Sequence, residues 1–155
     1  MTELRVALDT NLLVYAEGVA PLDRDAHKPE AVRDLLASLP GDDVLVPVQA
    51  LGELYRVLVG KAGRAPSEVR AAILAWRDSF ATLDTSASVM LAAVDLAADH
   101  GLSIWDAVML AAAADARCRL VLSEDMQDGF NWRGLTVASP FADDPHPLLA
   151  AAMRG

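Results

Sequence analysis

The sequence has a single cysteine, Cys118, and three widely separated histidines, His27, His100 and His146. One thiol makes no internal disulfide and no cysteine-based zinc site, so any metal this chain binds must be held by oxygen. Aromatic residues are also scarce, at 5% of 155 positions. At that density Trp105, Trp132, Phe130 and Phe141 read as core or rim packing rather than base-stacking platforms, and Cys118 as a small buried hydrophobe. The longest uninterrupted apolar run, Ala107 to Ala114, falls far short of the ~20 residues of a membrane-spanning helix. The start, Met1-Thr2-Glu3-Leu4-Arg5, leads into no apolar stretch with a small-residue cleavage site, so a soluble cytoplasmic protein is expected, with no membrane partner. Cations are the minority: 13 Lys and Arg against 22 Asp and Glu give a net charge of -9. That balance is the reverse of a passive nucleic-acid binder. It suits a carboxylate cluster that holds divalent ions, each cancelling two charges, or a basic protein partner.

What is present is a chain 54% hydrophobic with 9 Gly and 8 Pro, enough for one compact domain with a sizeable core. Short β-rich runs alternate with longer helical patterns. Leu4 to Leu8 reads as a strand, Asp9-Thr10-Asn11 as N-cap types, and Leu12 to Ala16 as a helix start. Pro29 opens a helix through Leu39, and Pro40-Gly41-Asp42-Asp43 closes it before the strand Val44 to Val46. Pro47 starts a helix through Val59 in which Leu51, Leu54, Tyr55 and Leu58 share one face. Helices are expected over Ser67 to Phe80, Ser86 to His100 with Gly101 as the stop, and Ser103 to about Arg117, with an edge strand near Thr82-Leu83. Arg119 to Leu122 and Leu135 to Val137 are strands, joined by a loop carrying Gly129 and Gly134. Pro140 to Gly155 is a short helix or a loose end. Strands separated by helices predict a three-layer α/β/α fold around a central parallel sheet, with function at the carboxyl ends of the strands.

Those ends carry acid. Asp9 follows the first strand, and Ser123-Glu124-Asp125 follows the strand ending at Leu122. Asp106 lies in the first turn of the Ser103 helix and Glu53 in the middle of the helix after the second strand. Carboxylates so far apart in sequence meet only by folding, and a hard cation such as magnesium or manganese relieves their repulsion. Each acid also has a purely structural reading. Asp9 is a good N-cap, as are Thr10 and Asn11. Asp106 stands three residues after Ser103, as in a capping box. Glu53 lies away from Leu51, Leu54 and Leu58, where a solvated charge is common. Asp125 belongs to an acidic loop with Glu124 and Asp128, and Ser123 fits a turn. Arg56, Lys61, Arg64, Arg70 and Arg77 form a basic stretch that reads as an ordinary helix surface or as a track for a phosphate backbone.

Taken together, a strand leading into Asp9-Thr10-Asn11-Leu12-Leu13, Glu53 within Ala50-Leu51-Gly52-Glu53-Leu54, Trp105-Asp106-Ala107-Val108 and Leu120-Val121-Leu122-Ser123-Glu124-Asp125 resembles a PIN domain. More narrowly it resembles the VapC-type toxins of bacterial toxin-antitoxin pairs. The resemblance implies a PIN-like nuclease domain over residues 1–141, leaving 142–155 as a tail without an assigned role. It implies an endoribonuclease dependent on Mg2+ or Mn2+, with Asp9, Glu53, Asp106 and Asp125 as catalytic metal ligands. Asn11 and Ser123 support them, and Asp128 competes with Asp125 for the fourth position. Water activated by the metal would attack an RNA phosphodiester in line. The resemblance further implies a homodimer inhibited by a cognate VapB-type antitoxin, whose basic segment the charge of -9 would suit. Two rivals stand beside it. One is a PIN scaffold kept as a non-catalytic binding module. The other is a haloacid-dehalogenase-type phosphatase, which needs a second Asp where this chain has Asn11.

Overall fold

A computed structural model describes residues 4–154; Met1 to Glu3, the start of the segment read for a leader, lie outside the described residues. β1 (Val6–Leu8) leads to α1 (Thr10–Ala16) and α2 (Lys28–Ser38), and β2 (Val44–Pro47) to α3 (Val48–Gly60) and α4 (Pro66–Ser79). β3 (Ala81–Leu83) leads to α5 (Ala87–His100) and α6 (Ile104–Asp115), followed by β4 (Leu120–Leu122), β5 (Asn131–Trp132), β6 (Leu135–Ala138) and α7 (Pro147–Arg154). The six strands run in the order β3-β2-β1-β4-β6-β5. All neighbours are parallel except β5 on β6.

The inner strands are buried along their whole length, as continuous apolar runs covered on both faces must be. Their side chains alternate between two cores. Val6, Leu8, Val44, Val46, Leu120 and Leu122 pack with residues of α1 to α4 and α7. Ala7, Leu45, Val121 and Val137 pack with α5 and α6 on the other face. This is a three-layer α/β/α fold. Leu8 and Leu122 are fully buried, so truncating either to alanine would cost about 2–5 kcal/mol. Local signals fix the helix ends: Ser86 Oγ accepts from the Val89 N–H at 3.2 Å, and Gly101 adopts φ +68° at the C-terminus of α5.

The connections position the site. From β1 the chain winds outward through β2 to β3, then crosses back to β4 on the opposite flank of β1. The crevice between the carboxyl ends of β1 and β4 is therefore the point where the winding reverses, the usual ligand position of such sheets. Register places Leu8 beside Leu122, so Asp9 and Ser123 leave the sheet side by side.

Several expectations need correction. The sheet is not wholly parallel, because the loop after β4 contains β5. Asn131-Trp132 and Leu135-Thr136 pair antiparallel across Arg133 (φ +50°) and Gly134 (φ +79°), a two-residue turn with both central residues left-handed. Arginine at its first position hid the hairpin in the sequence. Asp9, not Thr10 or Asn11, is the N-cap of α1, which starts at Thr10 rather than Leu12. Of the two readings of the tail, the short helix is the one the structure shows: α7, with Leu149 and Ala152 buried in the core that contains Val32 of α2.

Candidate active site

Asp9 leaves β1 with its carboxylate in the crevice, only 6% exposed. Ser123 Oγ donates to Asp9 Oδ2 at 2.7 Å and the Thr10 N–H donates to Oδ1 at 2.8 Å. Burial nevertheless pushes the Asp9 pKa from 3.8 up to about 6; the two hydrogen bonds oppose this, and the charges of Asp106 and Asp125 add to it. Asp106 is raised by the same physics, first by burial and then by Glu53 and Asp125. Four carboxylates from four parts of the chain thus act on one another across the crevice. The Ser103 carbonyl accepts the first bond of α6, from the Ala107 N–H at 2.9 Å, but its side chain makes no cap bond, so the capping-box reading of Asp106 does not hold.

The loop after β4 is organised by Ser123, which is fully buried. While donating to Asp9, its Oγ accepts from the N–H groups of Asp125 (3.2 Å) and Met126 (3.1 Å). Asn11 spans the gap, with Nδ2 donating to Asp125 Oδ2 at 3.1 Å and, more weakly, to Asp9 Oδ2 at 3.4 Å. Asp128 lies elsewhere, where its Oδ1 accepts from the Ser139 N–H at 2.9 Å. Glu53 is half-buried rather than solvated. Its Oε2 accepts from Thr10 Oγ1 at 2.6 Å and its Oε1 from Gln49 Nε2 at 3.0 Å, so α1 and α3 hold it beside Asp9's own element.

A groove of about 790 Å³ runs from Asn11, Glu53 and Asp125 between α1 and α3 to the 3-10 turn Asp23–Asp25. Arg24, His27, Arg56 and Lys61 line it, all exposed. Of the basic stretch, Arg64 is instead bound to Glu17 at 3.1 Å and Arg77 to its neighbour Asp78 at 3.2 Å. The groove's floor holds a network that the sequence did not reveal. Lys28 bonds Asp25 at 2.8 Å and also Glu124, while Tyr15 donates to Glu124 Oε2 at 2.6 Å. Burial works to lower the Lys28 pKa, but its bonds to Asp25 and Glu124 prevail and hold it above its ordinary value. Burial and the bond to Glu124 raise that of Tyr15. Phe141 sits 4.8 Å from the Lys28 ammonium and edge-on to Tyr15. This network pins α1, α2 and the loop bearing Asp125 together. The run Glu124, Asp125, Asp128 was the only sequence signal for it.

The aromatics divide. Phe130, Phe141 and Trp132 pack against the two cores as expected, and Cys118 is buried. Trp105, next to Asp106, belongs to neither core and is 56% exposed.

The four acids, with Ser123, Asn11 and Thr10, offer only oxygen and amide groups. Among the described residues no three His, Cys, Asp or Glu side chains are drawn together tightly enough to chelate one ion as they stand. Magnesium does not require that, because it keeps several waters and is usually held through one or two carboxylates. The oxygen-only donors and the mutual elevation of Asp9 and Asp106 fit such a cation.

A search of the curated proteins finds no match to this sequence. Among solved structures, DNA-bound VapBC from Salmonella typhimurium is similar with a TM-score of 0.66 and 15% identity, over 88% of this chain and 98% of that one. A toxin-antitoxin complex from Klebsiella pneumoniae gives a TM-score of 0.64 at 19% identity, over 88% and 98%. VapC20 from Mycobacterium tuberculosis, a Sarcin-Ricin loop cleaving toxin, gives 0.63 at 20%, over 77% and 91%. At these identities the likeness is one of fold. The sequence profile of the PIN domain matches residues 6–128, from β1 through the loop that carries Asp125. With most of its length and all four crevice acids inside that match, the chain belongs to the PIN domain family.

Proposed function

We propose that this protein is a divalent-metal-dependent endoribonuclease, the toxin of a type II toxin-antitoxin pair of the VapC kind. The observation that carries the reading is Asp9: a buried carboxylate at the β1/β4 reversal, held by Ser123 and raised to about 6 by burial and by its acidic neighbours. Such an arrangement costs stability that the N-cap role of Asp9 does not require, since an uncharged asparagine caps a helix as well, and that excess is the mark of a site kept for chemistry. Family membership and toxin-antitoxin structural neighbours support the same assignment.

In this reading Asp9, Asp106, Glu53 and Asp125 are the ligands of Mg2+ or Mn2+. When bound, the metal supplies charge neutralisation at a phosphate oxygen and a more acidic water. The chain's own residues do the positioning. Ser123 fixes the rotamer of Asp9, Asn11 holds Asp125 toward it, and Thr10 and Gln49 aim Glu53. The exposed cations Arg24, Arg56 and Lys61 along the groove attract the phosphate backbone that an acidic surface would otherwise repel. A cognate antitoxin with a basic segment is the partner that complements the net charge of -9. The protein acts as a cytoplasmic homodimer in this assignment.

The test is cleavage of a total-RNA pool by antitoxin-free protein in magnesium, in manganese and in chelator, beside Asp9→Asn. Discrete fragments that require both metal and Asp9 are expected. Equal cleavage by a folded Asp9→Asn variant would remove Asp9 from the site, and no cleavage under any condition would favour the non-catalytic binding module.

A further inference from the structure

Beyond the acids, on the far side of Glu53 from the main groove, lies a second concavity of about 410 Å³ lined by Gln49, Gly52, Glu53, Arg56 and Trp105. Glu53 and Arg56 border both depressions, so a strand crossing the acids passes directly from one into the other. An indole 56% open to solvent is an unusual expenditure in a chain this poor in aromatics. It makes no core contact that would explain it, yet its backbone is fixed. Gln49 Nε2 donates to the Trp105 carbonyl at 3.2 Å and to Glu53 Oε1 at 3.0 Å, which ties the first turn of α6 to the ligand-bearing helix α3.

Gly52 adds an independent point. It lies within α3, where glycine costs up to about 1 kcal/mol relative to alanine. Packing does not demand it, because a Cβ placed there would meet nothing within 4 Å, and its φ is not positive. What the missing side chain provides is open space facing the indole.

We propose that this concavity is a nucleobase subsite, in which Trp105 stacks a base of single-stranded RNA flanking the scissile phosphate, Gly52 leaves room for the ring and Arg56 meets the adjoining phosphate. This rests on the ribonuclease reading of the neighbouring acids. Base-aromatic stacking is tolerant of sequence, and Gln49 and Glu53 at the rim supply the polar edge that selects among bases.

The test measures binding apart from cleavage. In an Asp9→Asn background, which keeps an equivalent N-cap, a short fluorescein-labelled single-stranded RNA is titrated by anisotropy in magnesium. Trp105→Ala should weaken binding about 5- to 100-fold, Trp105→Phe should restore most of it, and Gly52→Leu should weaken it while leaving thermal stability equal or higher. Unchanged affinity in Trp105→Ala overturns the proposal. So does a loss of oligomeric mass in sedimentation without a loss of RNA affinity, which would make Trp105 a contact between copies. Cleavage by the chain with native Asp9 separates the two readings. If it cleaves and Trp105→Ala is neutral in both assays, only the subsite fails; if it cleaves nothing but Trp105 governs binding, only the nuclease reading fails.

Discussion

Replacing Asp9 by asparagine should make the metal-free protein more stable, although it removes a hydrogen-bonded, buried residue. Asp9 titrates at about 6 in the fold against an ordinary 3.8. At 1.36 kcal/mol per pH unit, the ionised carboxylate destabilises the fold by about 3 kcal/mol at neutral pH. Asparagine removes that penalty and still accepts from the Thr10 N–H. With its one oxygen facing Thr10, asparagine puts an amide nitrogen where Asp9 Oδ2 accepts the Ser123 hydroxyl, and Ser123 Oγ already accepts from Asp125 and Met126, so about 1 kcal/mol is lost again. The net gain is about 2 kcal/mol, or roughly 4–8 °C for a domain of this size. Because the folded pKa lies above the unfolded one, the native state binds more protons between about pH 4 and 6, and wild-type stability rises as pH falls through that window. The difference between the proteins should therefore be full at pH 7.5 and gone by pH 4. Thermal unfolding followed by circular dichroism in chelator, at both pH values, checks this. A variant less stable than wild type at pH 7.5, or a gain independent of pH, would refute the electrostatic account of the site.

Magnesium should raise the wild-type melting temperature, by about 2.7 kcal/mol of linkage at a hundredfold excess over its dissociation constant, and raise that of Asp9→Asn much less; calorimetry with and without chelator reads both. Ser123→Ala should destabilise by about 2 kcal/mol in urea unfolding, since it removes the acceptor of two part-buried N–H groups and the buried hydroxyl that donates to Asp9. The same change should push the Asp9 pKa higher still, measurable by carboxyl-carbon NMR, because the Ser123 bond is the largest influence lowering it. Lys28→Met should cost about 2–3 kcal/mol, leaving Asp25 and Glu124 without their cation at side-chain exposures of 12% and 22%. In the same variant RNA cleavage should also fall, because the loop bearing Asp125 loses its anchor to α2.

The parts legible in the sequence were those whose signals are local. Asp9 and Ser123-Glu124-Asp125 could be placed because a short buried strand announces itself as an unbroken apolar run, and the residue after it sits at the sheet's carboxyl edge. Local signals likewise gave the helix bounded by Ser86 and Gly101 and, within a residue of its observed start at Pro66, the helix expected from Ser67. What escaped depends on contacts between distant segments. Thr10 reads as a capping residue until Glu53 arrives 43 positions later to accept its hydroxyl. Lys28 carries no local signal at all, and only the fold closes Asp25, Glu124 and two rings around it.

Trp105 shows why periodicity fails where a helix is apolar nearly all round. α6 buries seven consecutive residues, Ala107 to Ala113, so its pattern defines no polar face from which to judge the tryptophan two positions earlier. Only the sheet order tells which turn of α6 projects past the core, and that turn is the one beside the acids. The exposed indole, the bare glycine opposite it and the stability given up at Asp9 therefore share one cause. They cluster where the winding of the sheet reverses, because that crevice lets side chains that follow β1 and β4 meet those of α3 and α6 without being packed into a core.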